Sequence, residues 1–332
     1  MTSIVSPATT QTDLLTVSGL KKYYPVRGGI LLREKAKVYA VDDVSLTIES
    51  GKTLGLVGES GCGKSTVAKT LMLLHPPTAG RIIFDGYDVT QLSKAEQKRW
   101  RADMQMVFQD PAESLNSRST VHNLLREPFM IHHEGDRQTQ DARIDELLQQ
   151  VGLNASALNR FPHEFSGGQK QRIGIARAIA LKPKLVVCDE PVSALDVSIQ
   201  SQIINLLLTL QQELGLALLF IAHDLAVVKH VSDTIAVMYL GQIVEYTQAK
   251  TLYAEPLQPY TQSLISAIPV ADPVVKTDYQ ILQGDVPSPI NPPSGCRFHT
   301  RCPKARPDCA DAEPQLEEVK PGHWVRCFYW DN

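Results

Sequence analysis

Residues 58–66 read Gly58-Glu59-Ser60-Gly61-Cys62-Gly63-Lys64-Ser65-Thr66. An apolar run at 53–57 precedes this stretch, and a helical pattern at 66–74 follows it. Glycines let successive backbone N–H groups point inward, the N-terminus of the helix adds positive potential, and Lys64 adds a point charge. The stretch therefore predicts a loop that binds the β- and γ-phosphates of a nucleotide, with the Ser65 hydroxyl placed to bind Mg²⁺.

The composition is that of a globular protein large enough for about two domains. The chain has 332 residues, of which 43% are hydrophobic and 21% charged, and its net charge of −3 disfavours broad nucleic-acid binding. The longest apolar runs, such as 216–222, are too short to span a bilayer. The polar residues 1–13 predict a disordered tail and not a signal peptide. We therefore expect a cytosolic protein that meets the membrane only through a partner.

The order of the predicted elements indicates an α/β fold. Two strands are expected first, at 14–24 and 38–48, and the basic segment 27–37 between them is predicted to be a solvated loop. Contact of that segment with a partner or with lipid headgroups is the alternative. Strands and helices then alternate, with helices expected at 94–103, 169–181, 197–214 and 225–231, and strands at 104–108, 184–188, 217–222 and 234–246. Such alternation is typical of a mostly parallel sheet between two layers of helices.

Two carboxylates follow the apolar strand predicted at 185–188. Because such sheets bind their ligands at the carboxyl ends of the strands, Asp189 and Glu190 are expected to face the phosphates. Asp189 suits the Mg²⁺ shell, and Glu190 suits polarisation of the attacking water. The alternative is an acid pair that only caps the strand, which the phosphate loop upstream disfavours.

A second anion site is indicated by Phe165-Ser166-Gly167-Gly168-Gln169. A serine hydroxyl, two unhindered glycine amides and the N-terminus of the predicted helix can bind phosphate oxygens. One nucleotide fills both sites of a single chain only if the chain folds back tightly. We therefore expect a head-to-tail pair of chains, in which each nucleotide lies between the loop 58–66 of one chain and Ser166–Gln169 of the other.

Single residues complete the predicted site. Gln109 and His223 each follow a predicted strand. Gln109 can reach Mg²⁺ or the water, and His223 can hydrogen-bond the γ-phosphate. Alone, a glutamine or a histidine at a strand end is more often structural, but here both belong to an ordered set. Tyr24 is predicted to stack on the adenine, with Tyr23 as the alternative.

This ordered set resembles the ATPase subunit of ABC (ATP-binding cassette) transporters over residues 14–250. The resemblance implies a P-loop NTPase fold with a RecA-like core, an antiparallel β subdomain and a helical subdomain. It also implies that Ser166–Gln169 form the signature sequence, that Asp189 is an Mg²⁺ ligand and that Glu190 is the catalytic base. Asp196 is then a D-loop residue, and His223 is the switch histidine. Phe165 stands where the family prefers leucine, and no catalytic position is missing, so an active ATPase is expected.

Residues 251–332 resemble the C-terminal extension of oligopeptide/dipeptide import ATPases, and Pro259–Leu264, Gly284–Pro289 and Asn291–Cys296 carry the similarity. The similarity implies an ATPase subunit of an importer for dipeptides or short peptides, peripheral on the cytoplasmic face of a bacterial cell membrane. The implied partners are a second ATPase subunit in a heterodimer, two membrane permeases and an extracytoplasmic peptide-binding protein. The region 112–129 is the place implied for a permease helix.

Other cargoes and one other class of protein are alternatives. Nothing in the sequence contacts a substrate, so nickel, glutathione, murein peptides and antimicrobial peptides stay open as cargo. A soluble ABC protein that works on ribosomes or DNA is disfavoured, because such proteins usually join two cassettes or insert a long coiled coil.

Four of the six cysteines lie within the last 37 residues, at Cys296, Cys302, Cys309 and Cys327. A reducing compartment disfavours structural disulfides, and four thiols in a proline-rich segment could close a metal centre that replaces an apolar core. Some members of the resembled family carry a [4Fe–4S] cluster at such cysteines, which is the interpretation we adopt. Zn²⁺, free thiols and an adventitious disulfide are the alternatives. Two nearby histidines, His299 and His323, are predicted to be solvated loop residues.

Overall fold

The computed structural model describes residues 13–28, 33–268, 282 and 284–331, so the predicted tail at 1–13 lies outside them except for Asp13. Within these residues the strands are β1 (Asp13–Gly28), β2 (Arg33–Glu49), β3 (Thr53–Val57), β4 (Ala79–Phe84), β5 (Tyr87–Asp88), β6 (Met104–Val107), β7 (Leu185–Asp189), β8 (Ala217–Ala222), β9 (Thr234–Tyr239), β10 (Gln242–Gln248), β11 (Glu317–Lys320) and β12 (His323–Val325). The α-helices are α1 (Lys64–Leu71), α2 (Lys94–Asp103), α3 (Pro111–Ser114), α4 (Val121–His132), α5 (Arg137–Gln150), α6 (Gly167–Ala178), α7 (Val197–Leu214), α8 (Leu225–Val231), α9 (Ala249–Ala254), α10 (Pro259–Ser266) and α11 (Asp308–Asp311).

The large sheet positions the site. Its strand order is β11-β12-β10-β9-β3-β8-β7-β6, and the five strands from β9 to β6 run parallel. Every residue of β3, β7 and β8 is buried, as expected for central strands covered on both faces. The loops that follow these strands therefore meet at one edge of the sheet, where α/β folds bind ligands.

The small sheet is antiparallel, with the order β2-β1-β4-β5. Its first hairpin corrects the prediction of a solvated loop at 27–37, because β1 continues to Gly28 and β2 begins at Arg33, with Arg27 paired to Glu34. Backbone pairing and an exposed ion pair between Lys37 and Glu34 hold this ribbon, and its charged side chains stay in water, so no apolar alternation marks it as strand. Residues 29–32 of the segment lie outside the described residues.

The apolar core lies on both faces of the large sheet. One cluster fills the space between the two sheets and around α1, with Leu15, Ile48 and Leu56 at most 1% exposed. The other lies under the helices and includes Leu125, Ile173 and Phe220. Both clusters include side chains of the parallel strands, so the strand ends that carry the predicted site residues are held from both sides.

The segment after residue 250 packs on the same core. Strand β12 pairs with β10, with Glu245 opposite Val325. Tyr260 and Phe298 are at most 1% exposed and belong to the cluster under the helices. The predicted boundary between 14–250 and 251–332 stays a prediction, although sheet and core continue across it. Among the described residues, no helix is long and apolar enough to cross a membrane.

Candidate functional site

The loop between β3 and α1 has the conformation that its glycines allow. Gly63 lies at φ 110°, and a Cβ built there would stand 2.1 Å from the carbonyl oxygen of Ala40. Gly58 lies at φ 152°, and its Cβ would stand 2.1 Å from the carbonyl oxygen of Met238. Neither position admits a side chain, so these glycines set the close approach of the loop to β2 and β9.

A cavity of about 390 Å³ opens beside this loop, a size typical of small-molecule sites. It is lined by Tyr24, Val38, Tyr39, Ala40, Ser60, Gly61, Cys62, Gly63, Lys64, Ser65, Thr66, Gln109, Glu190, Leu240, Gly241 and Pro289. The structure thus brings together seven residues of the phosphate loop with the predicted Tyr24, Gln109 and Glu190. Polar groups of three strand ends and a helix N-terminus meet in one place, which suits a phosphorylated ligand.

The ammonium group of Lys64 is bound to the loop itself. Its Nζ donates to the carbonyl oxygens of Gly58 at 2.7 Å and Glu59 at 3.0 Å, and the residue is 4% exposed. Two carbonyl acceptors hold the buried charge, and no carboxylate of the described residues forms an ion pair with it. The positive charge therefore remains available to a phosphate group that enters the cavity.

Ser65 and Asp189 lie side by side, as the sequence predicts for two residues around Mg²⁺. The Ser65 hydroxyl donates to Asp189 Oδ1 at 2.8 Å, and Asp189 is 4% exposed. Burial raises the pKa of Asp189, the bond from Ser65 opposes this effect, and the charge of Glu190 adds to it. An oxygen donor pair of this kind, beside a phosphate loop, matches the ligands that Mg²⁺ prefers.

Glu190 is the centre of the predicted catalytic group. Its Oε2 accepts a hydrogen bond from Gln109 Nε2 at 2.9 Å and lies 3.7 Å from His223 Nδ1. Its backbone adopts φ 47°, a left-handed conformation that non-glycine residues rarely take. Three predicted residues are thus within reach of one another, although His223 is not among the described residues that line the cavity.

The two candidate tyrosines have different surroundings. Tyr24 lines the cavity and stands edge-on to His75, with ring centroids 5.7 Å apart. Tyr23 donates its hydroxyl hydrogen to Asp42 Oδ1 at 2.5 Å and packs against Tyr39. Of this pair, Tyr24 lines the cavity and Tyr23 does not, and Lys22 Nζ stands 4.9 Å from the centroid of the Tyr24 ring. Adenine stacking on Tyr24 stays the prediction.

The second predicted anion site stands apart from the cavity. Ser166 caps α6 reciprocally: its hydroxyl accepts from the N–H of Gln169, and its own N–H donates to Gln169 Oε1 at 3.1 Å. Neither Ser166–Gln169 nor Asp196, exposed at the start of α7, is among the described residues that line the cavity. Gly167 instead lines a separate cavity of about 120 Å³ with Gln109 and Leu195. Within one chain these residues lie apart from the phosphate loop. This separation is what the sequence analysis expects if they bind the nucleotide of a second chain.

Sequence reasoning missed part of the cavity wall. Strand β2 supplies Val38, Tyr39 and Ala40, the β9–β10 turn supplies Leu240 and Gly241, and the C-terminal segment supplies Pro289. The N–H of Tyr39 donates to the carbonyl oxygen of Pro289 at 2.9 Å, which fixes that segment to the wall. Apolar and backbone groups of this kind carry no motif. The one available signal was the similarity of Gly284–Pro289 to a known extension.

The four C-terminal cysteines are brought to one place. Cys296, Cys302, Cys309 and Cys327 all line a cavity of about 20 Å³. Burial raises the pKa of Cys296 to about 11, a backbone bond opposes this, and the other three sulfur groups add to it. The cavity holds about one water-sized body. Within the described part of the chain, no three potential ligand side chains stand as a metal-binding group. Four thiols are a donor set typical of cysteine-ligated metals, but in this structure the described residues are not placed as such a site.

The histidine predictions were partly wrong. His323 is not a solvated loop residue: it lies on β12, is 1% exposed, and its Nε2 is 2.7 Å from Oε1 of the fully buried Glu245. Burial follows from the pairing of β12 with β10, which the sequence did not indicate. His299 is half-buried, and its Nδ1 is 2.8 Å from the carbonyl oxygen of Cys296.

Comparisons with known proteins agree with this geometry. The sequence pattern of the family described as ABC transporter matches residues 41–193, and that of the oligopeptide/dipeptide transporter C-terminal region matches 244–309. The chain is 50% identical over 326 residues to the oligopeptide transport ATP-binding protein AppF of Bacillus subtilis, covering 97% of this chain and 99% of that relative. It is 52% identical over 319 residues to a putative peptide import ATP-binding protein of Brucella ovis, covering 96% and 98%.

Solved structures show the same fold. A dimeric ATP-binding cassette in a post-hydrolysis state with ADP and Pi superimposes with a TM-score of 0.63 at 27% identity, covering 71% of this chain and 98% of that one. A second match, a subunit of an ABC transporter complex from Clostridium perfringens, has a TM-score of 0.63 at 26% identity, covering 74% and 92%.

Proposed function

The chain belongs to the ATP-binding subunits of the ABC transporter family that carry the oligopeptide/dipeptide transporter C-terminal region, and we propose that it powers peptide import with the residues around Glu190. It is an ATPase of the P-loop type, and the import of peptides is the work that this hydrolysis drives. The observation that carries the residue-level proposal is one cavity that gathers the phosphate loop, Gln109 and Glu190.

The roles follow from chemistry and placement. Glu190 accepts a proton from the attacking water, and Gln109, bonded to it, holds the carboxylate in orientation. Ser65, Gln109 and Asp189 offer the oxygen ligands that Mg²⁺ prefers, and Mg²⁺ bound there would offset the charge of the β- and γ-phosphates. His223, whose side chain is 58% exposed, is free to turn toward the γ-phosphate.

A second ATPase subunit completes each site in this proposal. Ser166–Gln169 and Asp196 are the groups that this chain offers to the nucleotide of its partner. The partner in return covers the cavity beside Gly58–Thr66. We propose a heterodimer that ATP closes and hydrolysis opens, so that the permeases attached to it change conformation.

The transport partners are membrane permeases. We propose two of them, with an extracytoplasmic binding protein that delivers dipeptides or short peptides, and a peripheral position of this chain on the cytoplasmic face. The region 112–129 is proposed to receive a permease helix. The names of the relatives, which state oligopeptide transport and peptide import, support a peptide cargo over nickel or glutathione.

The test is the dependence of hydrolysis on a partner. The chain is purified alone and together with its permeases and second ATPase subunit in lipid vesicles, and ATP hydrolysis is measured with and without binding protein and dipeptide. We expect hydrolysis to rise with assembly and with peptide delivery. Full hydrolysis by the lone chain, independent of its concentration and of Ser166, would refute the two-chain site.

We also propose that Cys296, Cys302, Cys309 and Cys327 hold a metal centre. The resemblance implies a [4Fe–4S] cluster, and four thiols that line one cavity are a suitable donor set. A single Zn²⁺, which four cysteines can bind, is the alternative. Either centre would hold together the segments that carry the four residues.

Metal analysis of anaerobically purified protein decides between them. A cluster predicts brown protein with near-stoichiometric iron, and Zn²⁺ predicts colourless protein that contains zinc. Replacing Cys309 by serine is expected to lower the metal content in either case. Anaerobically purified protein that contains neither iron nor zinc would overturn the proposal.

A further inference from the structure

We propose that Arg301 and Tyr260, both in the segment after residue 250, are positioning residues of the ATP site that act through Glu59. This inference rests on the proposed function of the loop 58–66 as the ATP-binding loop. It assigns to the C-terminal segment a role in nucleotide affinity, in addition to any role of its cysteines.

The side chain of Glu59 is held by Arg301. Two parallel bonds join them, from Nη1 to Oε2 at 2.7 Å and from Nη2 to Oε1 at 3.1 Å. The Arg301 side chain is 6% exposed and that of Glu59 is 26% exposed, so the pair is largely shielded from water. Bidentate pairs of this geometry are the strong form of the ion pair.

The backbone of Glu59 is held from both sides. Its N–H donates to the hydroxyl oxygen of Tyr260 at 2.8 Å, and its carbonyl oxygen accepts from Lys64 Nζ at 3.0 Å. Tyr260 is fully buried and packs against the rings of Tyr239 and Phe298, with centroids 4.8 and 5.4 Å away. The Tyr260 hydroxyl therefore has a fixed position. It fixes the backbone of Glu59, whose carbonyl oxygen in turn holds the ammonium group of Lys64.

Charge gives the pair a second effect. Glu59 is the one carboxylate within the loop 58–66, which has to receive the negative charges of a nucleotide. An unpaired carboxylate there would repel the phosphates, and the shielded setting would make this repulsion stronger than in water. The guanidinium of Arg301 offsets that charge. Replacement of Arg301 alone should therefore weaken ATP binding more than replacement of both Arg301 and Glu59 by uncharged residues.

The experiment is a double-mutant cycle on the full chain, with Mg·ATP as the titrant in calorimetry. We expect Arg301→Met to raise the Kd for ATP about tenfold or more, since hydrogen bonds to charged groups are worth that much. Glu59→Gln should change it less, and the double variant should bind more tightly than Arg301→Met alone. The control is Lys320→Met, which breaks the exposed pair with Glu255 in the same C-terminal segment and should leave Kd unchanged.

Each outcome decides. Wild-type affinity in Arg301→Met, or a double variant no better than Arg301→Met, overturns the inference while the ATP site itself stands. Absence of ATP binding in the unchanged protein would instead refute the proposed function. Thermal unfolding without nucleotide identifies variants that do not fold. If Arg301→Met is one of them, Tyr260→Phe, which deletes only the hydroxyl, takes its place: a Kd at least a few-fold higher supports the inference, and an unchanged Kd overturns it.

Discussion

Glu190 combines an unusual backbone with a predicted catalytic role. Its φ of 47° is held by neighbours: its N–H donates to the carbonyl oxygen of Ile221, and its own carbonyl accepts from the Ser193 hydroxyl at 3.1 Å. Such a conformation costs on the order of 1 kcal/mol or more and persists where the surroundings enforce it. The carboxylate is thereby aimed at the cavity and at Gln109.

Replacement of Glu190 by glutamine tests this role. Glu190→Gln keeps the shape of the side chain and its bond to Gln109, but it cannot accept the proton of the attacking water. We expect turnover to fall by about 10²–10⁴-fold with ATP affinity retained. The measurement is single-turnover hydrolysis beside ATP titration. Glu213→Gln, the same change on the exposed face of α7, is the matched control, and normal turnover in Glu190→Gln would refute the assignment.

Among the residues of the site, the positions of the polar side chains were easier to predict from the sequence than the apolar and backbone groups of the cavity wall. The structure places Ser65, Gln109 and Glu190 at one cavity and Asp189 beside Ser65, where phosphate and Mg²⁺ chemistry led the sequence analysis to expect them, and their roles stay predictions. Pro289 was not predictable as a wall residue, because its contribution is a carbonyl bond to Tyr39. Arg301 and Tyr260 were also missed, since a long-range partner leaves no local pattern.

Strand β12 joins the C-terminal segment to the large sheet, and the side chain of Arg326 stabilises this connection by hydrogen bonds. Its Nε donates to the carbonyl oxygen of Ile243 at 3.1 Å and its Nη1 to that of Pro314 at 3.3 Å. Nη2 reaches Asp43 at 3.3 Å, and the Arg326 side chain is 4% exposed. One buried side chain directly after β12 thus contacts β10, β2 and the segment that precedes β11.

Loss of Arg326 should destabilise the whole fold. Arg326→Met leaves the carbonyl oxygens of Ile243 and Pro314 without this partner in a buried place, which costs about 1–3 kcal/mol of unfolding free energy. Chemical denaturation followed by circular dichroism measures it. Lys320→Met, in the same segment but at an exposed pair, should keep the wild-type midpoint. Equal midpoints for both variants would contradict the role of Arg326.

Elements with their own boundary signals were predicted well. The predictions for 94–103, 197–214 and 225–231 coincide with α2, α7 and α8. Ser93 and Glu96 form a capping box at the start of α2, and Gly215 ends α7 in a left-handed conformation. The β1–β2 ribbon and β12 had no such signal. The polar sequence of the ribbon resembles a loop, and β12 is a three-residue strand whose place in the large sheet depends on its pairing with the distant β10.

The whole molecule exposes Ser166 on a surface away from its own nucleotide cavity. Ser166→Arg should therefore block association of two ATPase subunits, because the long charged side chain occupies the place of a phosphate contact. ATP affinity of the same chain should stay within about threefold, since rim changes away from a site act weakly. Light scattering with Mg·ATP on Glu190→Gln protein, which holds its nucleotide, reports the association.

The control is Ser156→Arg, the same substitution at an exposed position before α6. It should associate normally. A loss of ATP affinity in Ser166→Arg equal to its loss of association would mean that both sites belong to one chain, contrary to the proposal.

For the whole molecule, the predicted α/β ABC-type fold was confirmed. It could be predicted because the order of motifs along the chain is specific to this fold. The sequence could not predict how closely residues 251–332 merge with the cassette. Proline-rich segments with few apolar positions suggest an appendage, whereas Tyr260 and Phe298 share the main core. A few large buried side chains sufficed for this, and sparse residues of that kind produce no periodicity.

The wall that Pro289 forms beside Tyr39 bears on how such subunits can diverge. A gene that loses the part encoding residues 251–332, or exchanges it with that of a paralogue, should encode a subunit with altered nucleotide binding even with every catalytic codon intact. Recombination within this family should therefore succeed where the incoming C-terminal segment carries groups that bind Glu59 and Tyr39 of the cassette, as Arg301 and Pro289 do here, and should fail elsewhere.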